Sequence, residues 1–217
     1  MGVLSEVERV KAVATFRQIG EEIYRTDTYI QFGTAKQSLG AVLMLNPGSA
    51  DLKGEAKWQL HHTGCYTDEI LLDSTMRQLV DFMTATHSKL EGRLYIYNLI
   101  YVRQTNHIDA INLFQHLKLI GKYPTISLPS LQEMKTHPWL LIGWGIETRK
   151  RWTYYESEKR KWLHLINNCG IPYFGVLSEK NEYYHPCPNS PAKKERLEQL
   201  IQAFKNTIEY KKLVNNN

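Results

Sequence analysis

Four short, almost unbroken apolar runs constrain this chain more than any other feature: GAVLMLN (40–46), RLYIYNLI (93–100), PWLLIGWG (138–145) and IPYFGVL (171–177). Each is too short for a buried helix and apolar in both alternations, as a strand covered on both faces should be. Helical patterns lie between them. DSTMRQLVDFMTATH (73–87) opens on a capping Asp73 or Ser74 and repeats Met76, Leu79, Val80 and Met83. HIDAINLFQHLKLIG (107–121) and the long segment 147–170 each stop at a glycine, and a last helix starts near Pro191. Strand–helix alternation at this spacing predicts an α/β fold: three layers, α/β/α, around a four-stranded, mainly parallel sheet. Residues 40–205 form the core of a single domain spanning 1–217. Residues 1–39 are expected to add an N-terminal helix and a possible edge hairpin around YRTDTYIQFG (24–33).

Composition narrows the classes. At 217 residues the chain is long enough to bury a proper core as one domain. No stretch approaches the roughly 18–20 apolar residues of a membrane span, and the first residues lack the apolar block of a signal peptide. A cytoplasmic monomer without a membrane partner is expected. The three cysteines, Cys65, Cys169 and Cys187, form no CxxC pair, which disfavours an iron–sulfur cluster or four-cysteine zinc site. In HHTGC, His61, His62 and Cys65 could bind a metal, the spacing putting two of them on one helical face, but no fourth ligand or distant pair completes a site. No metal and no cofactor are expected. The net charge of +5 is compatible with a polyanionic partner. Its two densest segments, 147–162 and 192–196, interleave acids with the bases and each read more simply as a solvated helix face.

In parallel sheets ligands bind where the carboxyl ends of the strands open into a crevice, so the residues after each strand carry the functional information. Here they are Asn46-Pro47-Gly48-Ser49, then Asn98, then Gly143-Trp144-Gly145, and finally the loop YYHPCPNSP (183–191) with His185 and Pro186. Each has a structural reading. An asparagine at a strand end caps its own turn, His185 before a proline can be a surface loop residue, and Trp144 between glycines packs as core. The argument for a site is that two amides and a histidine converge on one sheet edge.

In this order the motifs resemble the uracil-DNA glycosylase superfamily. They resemble more closely a bacterial family of unknown function that pairs an Asn-Pro-Ser/Gly-x-Ala-Asp turn with a late His-Pro motif. LMLNPGS is similar to the Gly-Ile-Asn-Pro-Gly form of the first motif. LYIYN ends a middle strand in Asn, LLIGWG is similar to Leu-Leu-Trp-Gly, and HPCP to His-Pro-Ser-Pro. Together they span residues 40–191.

The resemblance implies hydrolysis of the N-glycosidic bond of a damaged or modified base flipped out of DNA, with single-stranded DNA among the substrates it allows. Asn46 would hold the water, Asn98 would read the base, and His185 would stabilise the departing base. Pro47, Gly48, Ser49 and Pro186 would contact the substrate, and Trp58 would stack on it. Asn189 and Ser190 take the place of the wedge, with Lys193, Lys194 and Arg196 beside the backbone. The sequence departs from the family's most active branch in three ways. Asn46 replaces an aspartate and cannot act as a base, Gly48 replaces a bulky tyrosine, and the wedge lacks a Leu or Arg. Asp51 is then a candidate to supply the carboxylate, or else a turn cap. A nucleic-acid-binding protein without glycosylase chemistry, and a hydrolase or transferase of free nucleotides, are the alternatives.

Overall fold

The computed structural model describes residues 10–52, 54–189 and 191–215, with side chains as far as residue 208. Seven strands form one sheet: β1 (Val10–Ile19), β2 (Glu22–Phe32), β3 (Ser38–Met44), β4 (Cys65–Ile70), β5 (Gly92–Asn98), β6 (Leu140–Gly143) and β7 (Tyr173–Phe174). Their order is β4-β1-β2-β5-β3-β6-β7. The four expected strands are there as β5-β3-β6-β7, and every pairing among them is parallel.

The sheet is nevertheless mixed and not four-stranded, because β2, β1 and β4 extend it by antiparallel pairing. Where a helix was expected within residues 1–39, residues 10–32 form the hairpin β1–β2, closed by Gly20 and Glu21 with Gly20 at φ 64°. Residues 1–9 lie outside the described residues. Lys11 and Arg17 lie exposed on the outer face of β1, whose inner face is Ala12, Ala14 and Phe16. β4 is an edge strand exposed on alternate residues, so it carries no apolar signal.

Helices cover both faces. α1 (Gly54–Thr63), α2 (Ser74–Thr86) and α6 (Lys193–Asn215) lie over one, and α3 (His107–Leu119), α4 (Leu131–Met134) and α5 (Thr153–Cys169) over the other. β3 shows why its run is continuous: Val42 and Met44 pack with Met76, Leu79 and Phe82 on the α2 side, while Ala41 and Leu43 pack with Phe114 and Trp162 on the α5 side. The helix ends follow their local chemistry. Asp73 Oδ1 accepts the Met76 N–H at 2.8 Å, Asn106 Oδ1 accepts the Ile108 N–H at 2.8 Å, and Gly170 closes α5 at φ 67°. α5 begins only at Thr153; the charged stretch from 147 precedes it. No helix among the described residues is long and apolar enough to cross a membrane.

A polar chain is buried near the amino end of β3. Tyr97 Oη donates to Glu133 Oε1 at 2.8 Å, so it accepts from His137 Nε2–H at 2.9 Å, which leaves His137 Nδ1 to accept from Ser38 Oγ–H at 2.7 Å. In the neutral ring this run of bonds is complete. The ring is 2% exposed, and burial pushes its pKa down to about 4. Between that value and the ordinary one of 6.5 the unfolded chain takes a proton that the folded chain refuses, so stability falls as pH drops through this window. Urea melts at about pH 7.5 and about pH 4.5 should show a loss on the order of 3 kcal/mol attributable to this residue. His137→Gln, which cannot titrate, should lose correspondingly less over the same interval.

Candidate active-site crevice

Going outward from β3, the chain places its second parallel strand, β5, on one side and its third, β6, on the other. At such a switch of direction the connections diverge and leave a crevice at the carboxyl ends. A cavity of about 420 Å³ opens there, on the α2 and α6 side of the sheet, a size suited to a small ligand. Asn46, Asn98 and His185 all line it, together with Pro47, Gly48 and Ser49.

Asn98 is the last residue of β5 and continues the inward row of Leu94 and Ile96. It is 1% exposed, and neither its Oδ1 nor its Nδ2 finds a partner among the described residues. Asn46 follows β3. Its Nδ2 donates to Gln104 O at 2.6 Å, which fixes the amide and leaves Oδ1 free of that bond. The turn after Asn46 is held from below: Arg25 Nη1 and Arg103 Nε both donate to Ala50 O, at 3.1 and 3.3 Å, and Arg103 Nη2 donates to Ser49 O at 3.2 Å. Gly48 turns at φ 66°.

His185 sits in the loop before α6. A Cβ on Gly143 would stand 2.6 Å from Pro186 Cδ, so the glycine ending β6 is what lets this loop press against the sheet. Gln78 ties the loop to α2, its Nε2 donating to Pro186 O at 2.7 Å and to Lys193 O at 3.0 Å. His185 Nδ1 lies 2.9 Å from Cys187 O and 3.2 Å from Cys187 N. It donates to the first in one neutral tautomer and accepts from the second in the other. Burial holds its pKa below the ordinary histidine value, against the opposing pull of the Cys187 carbonyl and the Asp73 charge. The ring is therefore neutral at neutral pH.

Other expected residues fall elsewhere. Asp51 does not line the crevice: its Oδ2 pairs with Lys57 Nζ at 2.8 Å and Arg103 Nη2 at 3.1 Å, while its Oδ1 accepts the Leu52 N–H. Two carboxylates do line it, Glu147 and Asp73, and the Asp73 Oδ2 lies 3.6 Å from where a Cβ on Gly48 would stand. Trp58 is 56% exposed on α1 and stacks on His62 at 3.8 Å, away from the crevice. Among the described residues, His61, His62 and Cys65 do not converge with other potential ligands. Trp144 is core as well as wall: its Nε1–H donates to Glu182 Oε2 at 2.9 Å, and Glu182 Oε1 takes the buried Lys159 at 2.6 Å. Pro186 is buried behind the wall, Asn189 is on it, and Ser190 lies outside the described residues. Of the three basic residues, Lys193 and Lys194 stay outside and Arg196 lines the crevice.

Arg25 lines it too, and sequence reasoning missed it. Ile30 faces the α2 side, whereas Tyr24 faces the other, although both have even numbers. The parity changes at a bulge where the β1–β2 register shifts and Asp27 adopts φ 47°. The bulge turns Arg25 toward Asp73, an example of an irregularity that re-aims a side chain beside a site. The signal in the sequence was an arginine next to Thr-Asp-Thr between the apolar pairs Ile23-Tyr24 and Tyr29-Ile30.

Compared with models of protein families, with curated proteins and with solved structures, the chain finds no match.

Asn98 gives a direct check on whether the crevice is built for a ligand. Leaving both amide atoms unpaired costs about 1–3 kcal/mol in the empty protein. Asn98→Leu, of similar shape, should therefore match or exceed the wild type in thermal stability without ligand, while losing ligand binding or turnover. A melting temperature lower by several degrees would mean that the amide is satisfied in the empty state.

Proposed function

We propose that the protein is a DNA glycosylase-like enzyme: it seats a damaged or modified base in the crevice and hydrolyses the bond from that base to its sugar. The observation that carries this reading is Asn98, an amide fully withdrawn from water with donor and acceptor both unspent at the wall of a base-sized cavity. A planar base with an adjacent carbonyl and N–H would satisfy both atoms at once. The motif resemblance supports the same assignment.

The chemistry divides among the lining groups. A water oxygen attacks the anomeric carbon, the glycosidic C–N bond breaks, and its electron pair leaves with the base. Asn46 Oδ1, oriented because Nδ2 is committed to Gln104, can hold that water. Asn46 is an amide and takes no proton, so Asp73 is the better candidate than Asp51 to receive it. His185 serves the leaving base. In the tautomer that accepts from Cys187 N–H, its Nε2–H can donate to the base oxygen where negative charge collects, a form of stabilisation worth about 10²–10³ in rate per donor. Being neutral, it does so without having to lose a proton as the pH rises through 6.5.

The assay is release of base from labelled oligonucleotides, single- and double-stranded, carrying uracil, 5-hydroxymethyluracil, hypoxanthine, xanthine or modified cytosines. The expected outcome is abasic sites from at least one of them. His185→Ala and Asp73→Asn should each cut the rate by about 10² or more, and Asn46→Ala should also lower it. The wild-type rate should show no rise or fall centred on the ordinary histidine pKa of 6.5, because His185 titrates below it. Oligonucleotide binding without base release across the whole panel would replace this reading with a binding protein of the same architecture.

A further inference from the structure

The charges inside the crevice are not explained by recognition of a neutral base. Arg25 enters from β2, 2% exposed, with its Nε buried and unpartnered among the described residues. Arg196 enters from α6 on the His185 side. Its guanidinium carbon lies 4.0 Å from the centre of the Tyr184 ring, and its buried Nε and Nη1 have no partner among the described residues. A planar guanidinium offers its N–H groups as a fork that meets an oxyanion with two bonds at once.

Two carboxylates share the cavity. Glu147 faces His107 at 3.7 Å, with both side chains largely exposed. Asp73 stands near Arg25 and already accepts the Met76 N–H with one oxygen. Arg196 has no carboxylate within ion-pair distance among the described residues. The start of α2, with Ser74 and Thr75 on the wall, adds the positive end of a 13-residue helix.

We propose that the crevice contains an oxyanion subsite, served by Arg196 and Arg25, for a phosphate group of the nucleotide whose base lies against Asn98. This rests on the base-binding reading and adds to it the part of the substrate that the base pocket leaves over. A phosphate there neutralises guanidinium N–H groups that are otherwise buried without acceptors, just as a base satisfies the amide of Asn98. The phosphate is either that of a free nucleotide or that of a nucleotide still joined to a strand.

The test is calorimetric binding to the full chain of deoxyuridine and deoxyinosine, of their 5′-monophosphates, of short single-stranded oligonucleotides containing the same residues, and of inorganic phosphate alone. A monophosphate should bind at least about tenfold more tightly than its nucleoside, the gain expected of one charge-assisted contact. Arg196→Gln should abolish that gain while leaving nucleoside affinity unchanged. Arg25→Lys, which keeps the charge but loses the fork, should reduce it. Equal gain in the oligonucleotide assigns the phosphate to a strand, and gain confined to the monophosphate assigns it to a free nucleotide.

Equal affinity of nucleoside and monophosphate, or a gain that survives Arg196→Gln, would overturn the subsite and leave the base reading standing. Phosphate binding that depends on Arg196, with no nucleoside bound at all, would do the reverse.

Discussion

Burying a guanidinium costs several kcal/mol unless its N–H groups are met, and the carboxyl end of this sheet is organised around one such group. Arg25 is withdrawn from water, and burial lowers its pKa to about 10, with the nearby Asp73 charge opposing that shift. It remains a cation throughout the physiological range. Its bond to Ala50 O fastens the turn that follows β3, and that turn fixes Asn46, Pro47 and Gly48. Its neighbour Asp73 is at once the cap of α2 and the carboxylate of the crevice. Remove the bulge at Asp27 and Arg25 would point to the opposite face, leaving both the turn and Asp73 without their common partner.

The opposite wall depends on small residues and not on charge. Gly143 admits Pro186 to the end of β6, and Gly175 lies against Ile142 O and the Tyr183 ring, where a Cβ would stand 2.4 Å from one and 2.5 Å from the other. These close approaches bring the loop of His185 over a sheet that would otherwise hold it off by the width of a side chain. Gln78 then locks that loop and the start of α6 to α2 through two carbonyls. The histidine's orientation is thus set by backbone packing from three elements. Such support is what a group needs if it is to act at a fixed position during a reaction.

How much of this was legible in the sequence follows from how local each cause is. The parallel strands announced themselves because burial on both faces leaves an unbroken apolar run, and the caps at Asp73 and Gly170 because capping is decided within a few residues. The trio Asn46, Asn98 and His185 was legible for the same reason: strand ends in a parallel sheet share an edge. β1 and β4 were not, since each has one exposed face or edge and no unbroken apolar run, and β2 showed only as a possible edge hairpin over 24–33. Asp51 and Asp73 could not be told apart from sequence. Asp51 follows the turn directly but faces Lys57 and Arg103, while Asp73 reaches the turn only through the packing of α2 against it. Arg25 needed a bulge and Arg196 a helix register, both fixed by tertiary contacts.

Two polar clusters near the ends of β3 show what separates a structural group from a functional one here. Around His137, Ser38, His137, Tyr97 and Glu133 are joined in one run of hydrogen bonds. At the carboxyl end, Asn98 keeps both amide atoms unspent, and Arg25 and Arg196 keep buried N–H groups, without partners among the described residues. The first cluster lowers the energy of the folded chain by itself. The second raises it until something with a complementary edge and a negative charge arrives, because unsatisfied groups in a low-dielectric cavity gain most from a partner that supplies what they lack. Three such residues line one cavity, and a ligand with a complementary edge and a negative charge is what would satisfy them together.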